Sequence, residues 1–370
     1  MMYYIGLMSG TSADGIDAAL MQIGDGGKVN FLAARVLTYP TPIREAVLAF
    51  KHPADDELER AGVLNVELGE LFAQAALELL EQQGLPANKI SAIGSHGQTL
   101  RHQPTGPHPY SIQIADPATI VERTGITTVA NFRTRDIAAG GQGAPLASAF
   151  HRAAFHNANQ NRVILNIGGI ANVTFLPHDP GDPVVGFDTG PGNNLMDGWT
   201  ERHKGQCFDV NGEWAQQGVV STALLKRLLD HPYFPEHPPK TTGPEDFNLQ
   251  WLDGVVEKTP STICAEDAQA TLLQLTACSI SQTISQYLPK TQAVYVCGGG
   301  THNKTLMSTL QQKLGDTPVA TTSKLGIDPD WVEACAFAWM AWRTLNGKSG
   351  NITSVTGARH EAPLGAIWIK

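Results

Sequence analysis

The stretch YYIGLMSGTSADGIDAALMQI, residues 3–23, decides how the chain begins, because two apolar runs flank a turn of glycine and hydroxyl residues. Apolar runs of this length, bounded by turn-forming residues, are typical of β-strands. We therefore predict strands at Tyr3–Met8 and Asp17–Ile23, and a third at Val29–Tyr39 after the glycine turn at 24–27. The chain is expected to open as an antiparallel sheet.

Helical and strand patterns alternate in the rest of the chain. Apolar residues at spacings of three and four after Asp55 predict a long amphipathic helix, and a second set of strands at Arg162–Asn166, Asn172–Leu176 and Val184–Phe187 repeats the opening layout. Strands are also predicted before Gly94, at Tyr110–Ala115, at Thr127–Val129 and at Ala293–Cys297. Further helices are predicted from Pro117, at Ala265–Leu288, from Asn303 and at Trp331–Asn346.

Two segments lack a sustained pattern. Asn131–Pro145 combines arginines, an aspartate and glycines, and predicts a loop at a domain boundary. His231–Pro244 is rich in proline and predicts an exposed excursion. We place an N-terminal domain at residues 1–135, to which the C-terminal residues are free to return, and a second domain at residues 136–370.

Composition narrows the classes of function. The 370 residues suggest two domains, at about 150 residues each. A net charge of −9 repels nucleic acid on average. The sequence shows neither a basic signal segment nor an apolar run that spans a bilayer, so we expect a cytoplasmic protein without a membrane or nucleic-acid partner. The five cysteines are widely spaced and are expected to be reduced and mostly structural.

Glycine-rich turns are the first candidates for a binding site. The turn within Gly6–Asp17 offers backbone N–H groups and hydroxyls to an anion, although an ordinary polar hairpin turn explains it equally well. Gly298–Gly300 joins a strand to a helix, where main chain can approach a ring or a phosphate. Neither this segment nor the rest of the chain matches a dinucleotide fingerprint, a P-loop, a zinc motif or a hydrolase nucleophile elbow.

Polar residues beside such turns are the candidates for chemistry. Asp188 follows a strand and precedes turn-forming residues, so it is either a general base or metal-linked carboxylate, or an Asx-turn or helix cap. His96 and Gln98 suit hydrogen bonding to a polyhydroxylated ligand, but a lone histidine is more often structural.

Taken together and in order, six segments closely resemble the anhydro-N-acetylmuramic acid kinases, which belong with the sugar kinases, Hsp70 and actin. They are GLMSGTSADGID (6–17), GSHGQT (94–99), NFRTRDIAAGGQGAP (131–145), NIGGIAN (166–172), GFDTGPGN (186–193) and VCGGGTHN (296–303). The resemblance implies an α/β fold of two related actin-like, ribonuclease H-like ATPase domains with a nucleotide cleft between them. It also suggests a homodimer.

The resemblance further implies roles for individual residues. Asp188 matches the catalytic aspartate. The residues implied to bind ATP are Gly10, Thr11, Ser12, Ala13, Asp14, Gly15, Ile16, Asp17, Gly168, Gly169, Gly298, Gly299, Gly300 and Asn303. Proposed sugar contacts are His96, Gln98, Arg133, Arg135 and Glu333, with an arginine suited to the lactyl carboxylate. Many members of the larger group carry Asp where this chain has Met8, so Mg²⁺ is expected to link through water to Asp17 or Asp188.

The implied reaction converts 1,6-anhydro-N-acetylmuramate, ATP and water to N-acetylmuramate 6-phosphate and ADP, in peptidoglycan recycling and amino-sugar catabolism. In it, one carboxylate activates the water that attacks the anomeric carbon, while the 6-oxygen receives the phosphoryl group. Two rivals are a non-catalytic or chaperone-like ATPase of the same fold and an ordinary hexose kinase that takes up no solvent oxygen.

Overall fold

A buried hairpin begins the fold. The computed structural model describes residues 1–10, 12–50, 53–260 and 262–370. In it β1 (Met2–Met8) pairs antiparallel with β2 (Gly15–Ile23), from Met2 opposite Ile23 to Met8 opposite Asp17. Most side chains of both strands are buried, as their apolar composition requires. The two strands predicted from residues 3–23 are thereby confirmed.

The remaining elements before residue 156 extend this sheet and cover it. The strands are β3 (Val29–Thr38), β4 (Ile90–Ser95), β5 (Gln98–Gln103), β6 (Tyr110–Ile114) and β7 (Thr128–Ala130). The helices are α1 (Thr41–Ala49), α2 (Glu57–Gln83), α3 (Pro117–Thr124), α4 (Phe132–Ala138) and α5 (Ala147–Phe155). Helix α2 buries the apolar face that its spacing predicts, including Leu64, Leu68 and Leu79.

A second set of strands and helices follows, and the last elements of the chain then belong again with the first set. Its strands are β8 (Arg162–Ile167), β9 (Ile170–Leu176), β10 (Val185–Pro191), β11 (Ala293–Cys297) and β12 (Val319–Thr321). Its helices are α6 (Asn194–Lys204), α7 (Thr222–Leu229), α8 (Leu249–Glu257), α9 (Ala265–Tyr287) and α10 (Lys304–Leu314). The chain ends with α11 (Val332–Leu345), α12 (Thr353–Thr356) and β13 (Ala366–Trp368).

The two main sheets share a topology. One has the order β13-β7-β4-β1-β2-β3 and the other β10-β9-β8-β11-β12. In each, the first strand pairs antiparallel with the second, the second antiparallel with the third, and the first parallel with a later strand that follows helices. The prediction of two related α/β domains is confirmed by this repetition.

The chain divides into two compact units, residues 1–155 with 331–370 and residues 156–330. The predicted boundary between residues 135 and 136 differs, because it cuts α4 inside the first unit. Buried Asp136 in α4 accepts hydrogen bonds from Asn351 Nδ2 and Thr356 Oγ1, at 2.7 and 2.8 Å. These contacts hold the segment to the returning C-terminal residues, which belong to the first unit.

One local prediction is wrong and a second holds only in part. Asn131–Pro145 is predicted to be a loop, yet α4 forms there because Phe132, Asp136 and Ile137 are buried by tertiary contacts that local periodicity does not record. His231–Pro244 contains no helix or strand and half of its residues are exposed, as predicted, but Tyr233 and Lys240 within it are each only 4% exposed.

The helices also bear on membrane association. In the part of the chain that the structure describes, none of the helices combines the length and the apolar character needed to cross a membrane.

Candidate active site

Asp188 lies on β10, between buried neighbours. Phe187 is 1% exposed and belongs to the core of the second unit, whereas the Asp188 side chain is partly exposed. The pairing of β10 with β9 shifts register between Asp188 and Gly190. The carboxylate therefore stands at an irregular point of the strand with solvent access.

A segment distant in sequence holds Asp188 in place. We call residues 231–244 the strap. Its Tyr233 hydroxyl donates to the Asp188 carbonyl oxygen at 2.6 Å, and the Thr242 N–H donates to Asp188 Oδ2 at 3.0 Å. The Asp188 N–H donates to the Lys240 carbonyl oxygen at 3.1 Å. The strap thus fixes both the backbone of residue 188 and one carboxylate oxygen.

This environment tunes the acidity of the carboxyl group. Burial raises the pKa of Asp188 to about 7, the Thr242 N–H opposes the rise, and the Glu245 carboxylate adds to it. A base with a pKa close to the working pH combines the deprotonated form with useful proton affinity. Asp188 is therefore suited to take a proton from water near neutral pH.

The glycine turn between β8 and β9 contacts the segment after β10. The Gly192 N–H donates to the Gly169 carbonyl oxygen at 2.9 Å, and the Asn193 N–H donates to the Gly168 carbonyl oxygen at 2.8 Å. A β-carbon added at Gly168 would meet only Ile170 O, at 3.6 Å, among the described residues. Internal packing does not require a glycine at 168, so its bare backbone is open to a ligand.

The triple glycine after β11 divides into packing and open positions. Added β-carbons at Gly298 and Gly300 would overlap Asn166 and Ile167, respectively. At Gly299 the nearest described atom would be Asn193 Nδ2, 3.9 Å away. Gly299 is therefore the open member of this loop. Asn303, predicted to bind ATP, caps α10 by accepting from the Leu306 N–H at 2.9 Å.

Hydrogen bonds within the first unit fix the turn between β1 and β2. The Ser9 hydroxyl donates to the Gly15 carbonyl oxygen at 2.7 Å, and Gln98 Nε2 donates to the Gly10 carbonyl oxygen at 3.1 Å. Ala13 and Ile16 are buried, whereas Ser12 and Asp14 are exposed. Asp14 lies 3.5 Å from Arg44 Nε. Thr11, predicted to bind ATP, lies outside the described residues.

His96, Arg133 and Glu333 form a polar cluster in the first unit. His96 Nδ1 donates to the Gly97 carbonyl oxygen at 2.9 Å, so its Nε2 accepts from Arg133 Nε and Nη2, at 3.1 and 2.9 Å. Arg133 Nη1 donates to the Gly143 carbonyl oxygen at 2.7 Å. Burial and the Arg133 charge hold the pKa of His96 well below its usual value, which keeps the ring neutral.

Burial raises the pKa of Glu333, and the charge of Arg133 opposes that rise. Arg133 and Glu333 are thus a coupled, half-buried cation and carboxylate.

Two predicted sugar contacts stand apart from this cluster. The Gln98 side chain is buried; its Oε1 lies 2.8 Å from Ser9 Oγ and its Nε2 donates to the Gly10 carbonyl oxygen, so it supports the β1–β2 turn. Arg135 lies on α4 with Arg133 but is exposed and shares none of its described contacts.

A divalent cation has few protein ligands available. No group of three or more His, Cys, Asp or Glu side chains suited to a metal occurs within residues 1–10, 12–50, 53–260 and 262–370. Asp17, on β2 opposite Met8, is partly exposed. Mg²⁺ usually takes one or two carboxylates and completes its shell with phosphate and water, so this environment fits a cation that arrives with ATP.

Sequence reasoning missed the residues that set the state of Asp188. Tyr233, Lys240 and Thr242 come from the proline-rich strap, and Glu245 follows it. The single hint was a lysine and several aromatic residues within a segment otherwise typical of a solvated loop.

Comparison with known proteins agrees with the motifs. The family described as "Anhydro-N-acetylmuramic acid kinase" matches residues 2–370. Relatives of that name are 48% identical in Saccharophagus degradans, over 99% of this chain and 98% of theirs, and 49% identical in Thiobacillus denitrificans, over 98% and 96%. A third, from Nitrosomonas europaea, is 47% identical over 99% of both chains. The chain therefore belongs to the anhydro-N-acetylmuramic acid kinase family.

Proposed function

We propose that the protein is an ATP-dependent kinase that opens 1,6-anhydro-N-acetylmuramate with water and phosphorylates the sugar on O6. The observation that carries this proposal is Asp188: a partly exposed carboxylate with a pKa raised to about 7, at a position that matches the family motif. The products are N-acetylmuramate 6-phosphate and ADP, which places the reaction in peptidoglycan recycling.

Asp188 supplies the base that the reaction requires. Its carboxylate takes a proton from water while the water oxygen bonds to the anomeric carbon, and the bond from that carbon to O6 breaks. O6 then bonds to the γ-phosphorus, and ADP leaves with the electron pair of the broken P–O bond. Because phosphorus captures the departing oxygen, a second carboxylic acid to protonate it is unnecessary. The proton on Asp188 passes to solvent.

We assign ATP contacts to the open glycines and their neighbours. In the first unit these are Gly10 and residues 12–17, and in the second they are Gly168, Gly169 and Gly299, with Gly298 and Gly300 shaping the loop. Backbone N–H groups at such turns donate to phosphate oxygens. Mg²⁺, when bound with ATP, neutralises charge on the phosphates. We assign its water-mediated protein contact to Asp17 rather than to Asp188, because Asp188 acts as the base.

Arg133 is the proposed partner of the lactyl carboxylate. His96 and Gly143 already hold its guanidinium, and each Nη retains a second N–H for an incoming carboxylate. Arg135 is exposed and lacks this orientation. We propose Glu333 as an acceptor for a sugar hydroxyl or amide, and His96 as the group that orients Arg133.

Family membership favours a kinase over the non-catalytic or chaperone-like ATPase. An ordinary hexose kinase differs in one measurable respect, since it phosphorylates a free hydroxyl and incorporates no solvent oxygen at carbon 1.

Product analysis in ¹⁸O-water tests the function. The wild-type protein, ATP and 1,6-anhydro-N-acetylmuramate are expected to give a sugar phosphate that carries one ¹⁸O at carbon 1 in the first turnovers, read by mass spectrometry. A sugar phosphate without the label would contradict hydrolytic opening, and ATP turnover that is independent of sugar would favour the chaperone-like ATPase.

We also propose a cytoplasmic location and a homodimer. The location rests on ATP, the phosphate donor, which is abundant in the cytoplasm. The homodimer rests on the family resemblance, and sedimentation equilibrium measures it directly.

A further inference from the structure

Lys240 is a buried cation within the strap. It is 4% exposed, and its Nζ donates to the carbonyl oxygens of Tyr233 and Phe234, at 3.2 and 3.0 Å. The same Nζ lies 4.5 Å from the Tyr233 ring centroid and 6.0 Å from that of Tyr287. The ammonium is therefore enclosed by carbonyl oxygens and aromatic faces.

Burial of the Lys240 ammonium is unfavourable in free energy if the side chain only fills space. Transfer of an ammonium from water to a protein interior is unfavourable unless other groups replace its hydration. Within the described part of the chain Lys240 has no carboxylate within ion-pair distance; burial lowers its pKa, and the charge of Glu236 opposes that fall. An apolar side chain would fill the same space at less cost, so the charge and its N–H groups serve another purpose.

The contacts of Lys240 close the strap on itself. Tyr233 and Phe234 lie on the incoming limb, and Lys240 lies on the outgoing limb, seven residues after Tyr233 and six after Phe234. The bonds therefore fix the spacing between the limb that carries the Tyr233 hydroxyl and the limb that carries the Thr242 N–H. Both groups hydrogen-bond to Asp188.

The strap forms three hydrogen bonds with Asp188. They involve its backbone N–H, its carbonyl oxygen and Oδ2, whereas Oδ1 has no hydrogen bond to the described residues. A shift of the outgoing limb would move the Thr242 N–H off Oδ2. It would leave β10 itself intact, because β10 pairs with β9.

We propose that Lys240 is a positioning residue for the reaction: its ammonium clamps the two limbs of the strap and so holds the Thr242 N–H against the carboxylate of Asp188. This inference rests on the proposed role of Asp188 as the base. Lys240 itself touches no reacting atom.

Other charged groups around the base are Glu245, Asp246 and Tyr233. The Glu245 carboxylate acts on Asp188 directly, and Asp246 accepts from the Thr242 hydroxyl at 2.7 Å. The charge of Asp188 in turn raises the pKa of Tyr233, beyond the rise caused by burial. A change at Lys240 removes none of these groups, and the Lys240 charge is not among the causes that set the pKa of Asp188, so a shift of the pH profile reports the Thr242 contact.

Lys240→Met tests the clamp against Lys258→Met, the same change at an exposed lysine of the second unit. Loss of an N–H bond to a carboxylate is expected to raise the acid limb of the kcat profile by about one pH unit. Near pH 7 kcat then falls about fivefold, while KM for ATP stays within about twofold of wild type. Lys258→Met is expected to match wild type.

Hydrogen exchange gives a readout that does not depend on activity. In Lys240→Met the Thr242 amide is expected to exchange at least about tenfold faster, with protection of β8 and β10 retained. Lys240→Gln, which keeps an N–H donor on a shorter side chain without the charge, is expected to give a smaller change and serves if the methionine variant does not fold. An unchanged acid limb and unchanged Thr242 exchange in a folded variant would overturn the clamp.

Asp188→Asn separates the two proposals. If that variant retains bond cleavage, the proposed base is wrong. If it is inactive while the Lys240 variants keep wild-type pH profiles and exchange, only the clamp is wrong.

Discussion

Two aspartates, Asp136 of the first unit and Asp188 of the second, are enclosed by their own chain in different ways. Asp136 has no exposed surface, and both of its oxygens are used. Oδ1 accepts from Asn351 and Thr356, at 2.7 and 2.8 Å, and Oδ2 accepts from the Gly143 N–H at 2.8 Å. Asp188 is partly exposed, and its Oδ1 has no hydrogen bond to the described residues.

The two carboxylates differ in how many hydrogen bonds stabilise their negative charge. Donors from several segments satisfy Asp136, so its carboxylate holds structure together and offers no lone pair to a substrate. Asp188 has one N–H on its carboxylate and an oxygen left for water, so the same functional group is available for chemistry. Burial without full hydrogen bonding is what raises its pKa.

The largest expected effect is on catalysis at Asp188. Asp188→Asn keeps the shape and removes the base, so kcat is expected to fall by roughly 10²- to 10⁴-fold, with both cleavage and phosphorylation lost and ATP binding retained. Product formation by mass spectrometry and ATP binding by calorimetry measure this. Asp182→Asn, an exposed aspartate before β10, is the control and should behave as wild type. Cleavage that persists in Asp188→Asn would move the base elsewhere.

The matching change in the first unit is expected to cost stability. Asp136→Asn places an N–H₂ group against at least one donor, so the free energy of unfolding is expected to fall by about 2–4 kcal/mol. Urea denaturation measures this fall, and kcat of the folded fraction should stay close to wild type. If Asp136→Asn were as stable as Asp182→Asn, the network around Asp136 would not be structural.

Glycines extend the same contrast between packing and function. At Gly300 a β-carbon would lie 2.6 Å from the Ile167 Cβ, so Gly300→Ala is expected to destabilise the second unit by about 1–3 kcal/mol. Gly168→Ala meets no such obstacle, and is expected to raise KM for ATP about tenfold at nearly unchanged stability. Thermal melts and ATP titrations separate the two variants. Equal KM values for Gly168→Ala and wild type would remove Gly168 from the ATP site.

The smallest expected effect is on the pH profile. A base with a raised pKa is protonated below that value, so kcat is expected to decline as pH falls through about 7. Glu245→Gln removes a negative charge that favours protonation, so the acid limb should move to lower pH by a few tenths of a unit. Glu257→Gln, the same change at an exposed glutamate that ends α8, is the control. A shift to higher pH in Glu245→Gln would contradict the electrostatic account.

Local patterns predicted the regular elements well. The strands from Tyr3 to Ile23 follow from apolar runs, and the helix through Leu64 and Leu68 follows from apolar residues at a period of 3.6; short-range sequence records both. Helix α4 and the buried residues of the strap were not predicted, because α4, for example, depends on contacts with residues more than 200 positions away. Composition gave no indication of those partners.

The sequence predicted those residues of the candidate site that belong to recognisable motifs. Asp188 and the glycine turns were proposed from their places beside strands. The contact from Thr242, whose N–H donates to the Asp188 carboxylate from 54 residues away, was not predicted. Any residue but proline has a backbone N–H, so no residue type indicates such a donor. Gln98 was expected to bind sugar, but its amide is hydrogen-bonded to the β1–β2 turn.

By itself, the order of residues determined the repeated strand layout, the glycine turns and membership of the family, because those depend on local periodicity and on motifs. Tertiary structure alone decided which aspartate is satisfied and which is reactive. Hydrogen-bond saturation and desolvation depend on what distant segments bring to each carboxylate, and sequence neighbours of Asp136 and Asp188 do not encode it.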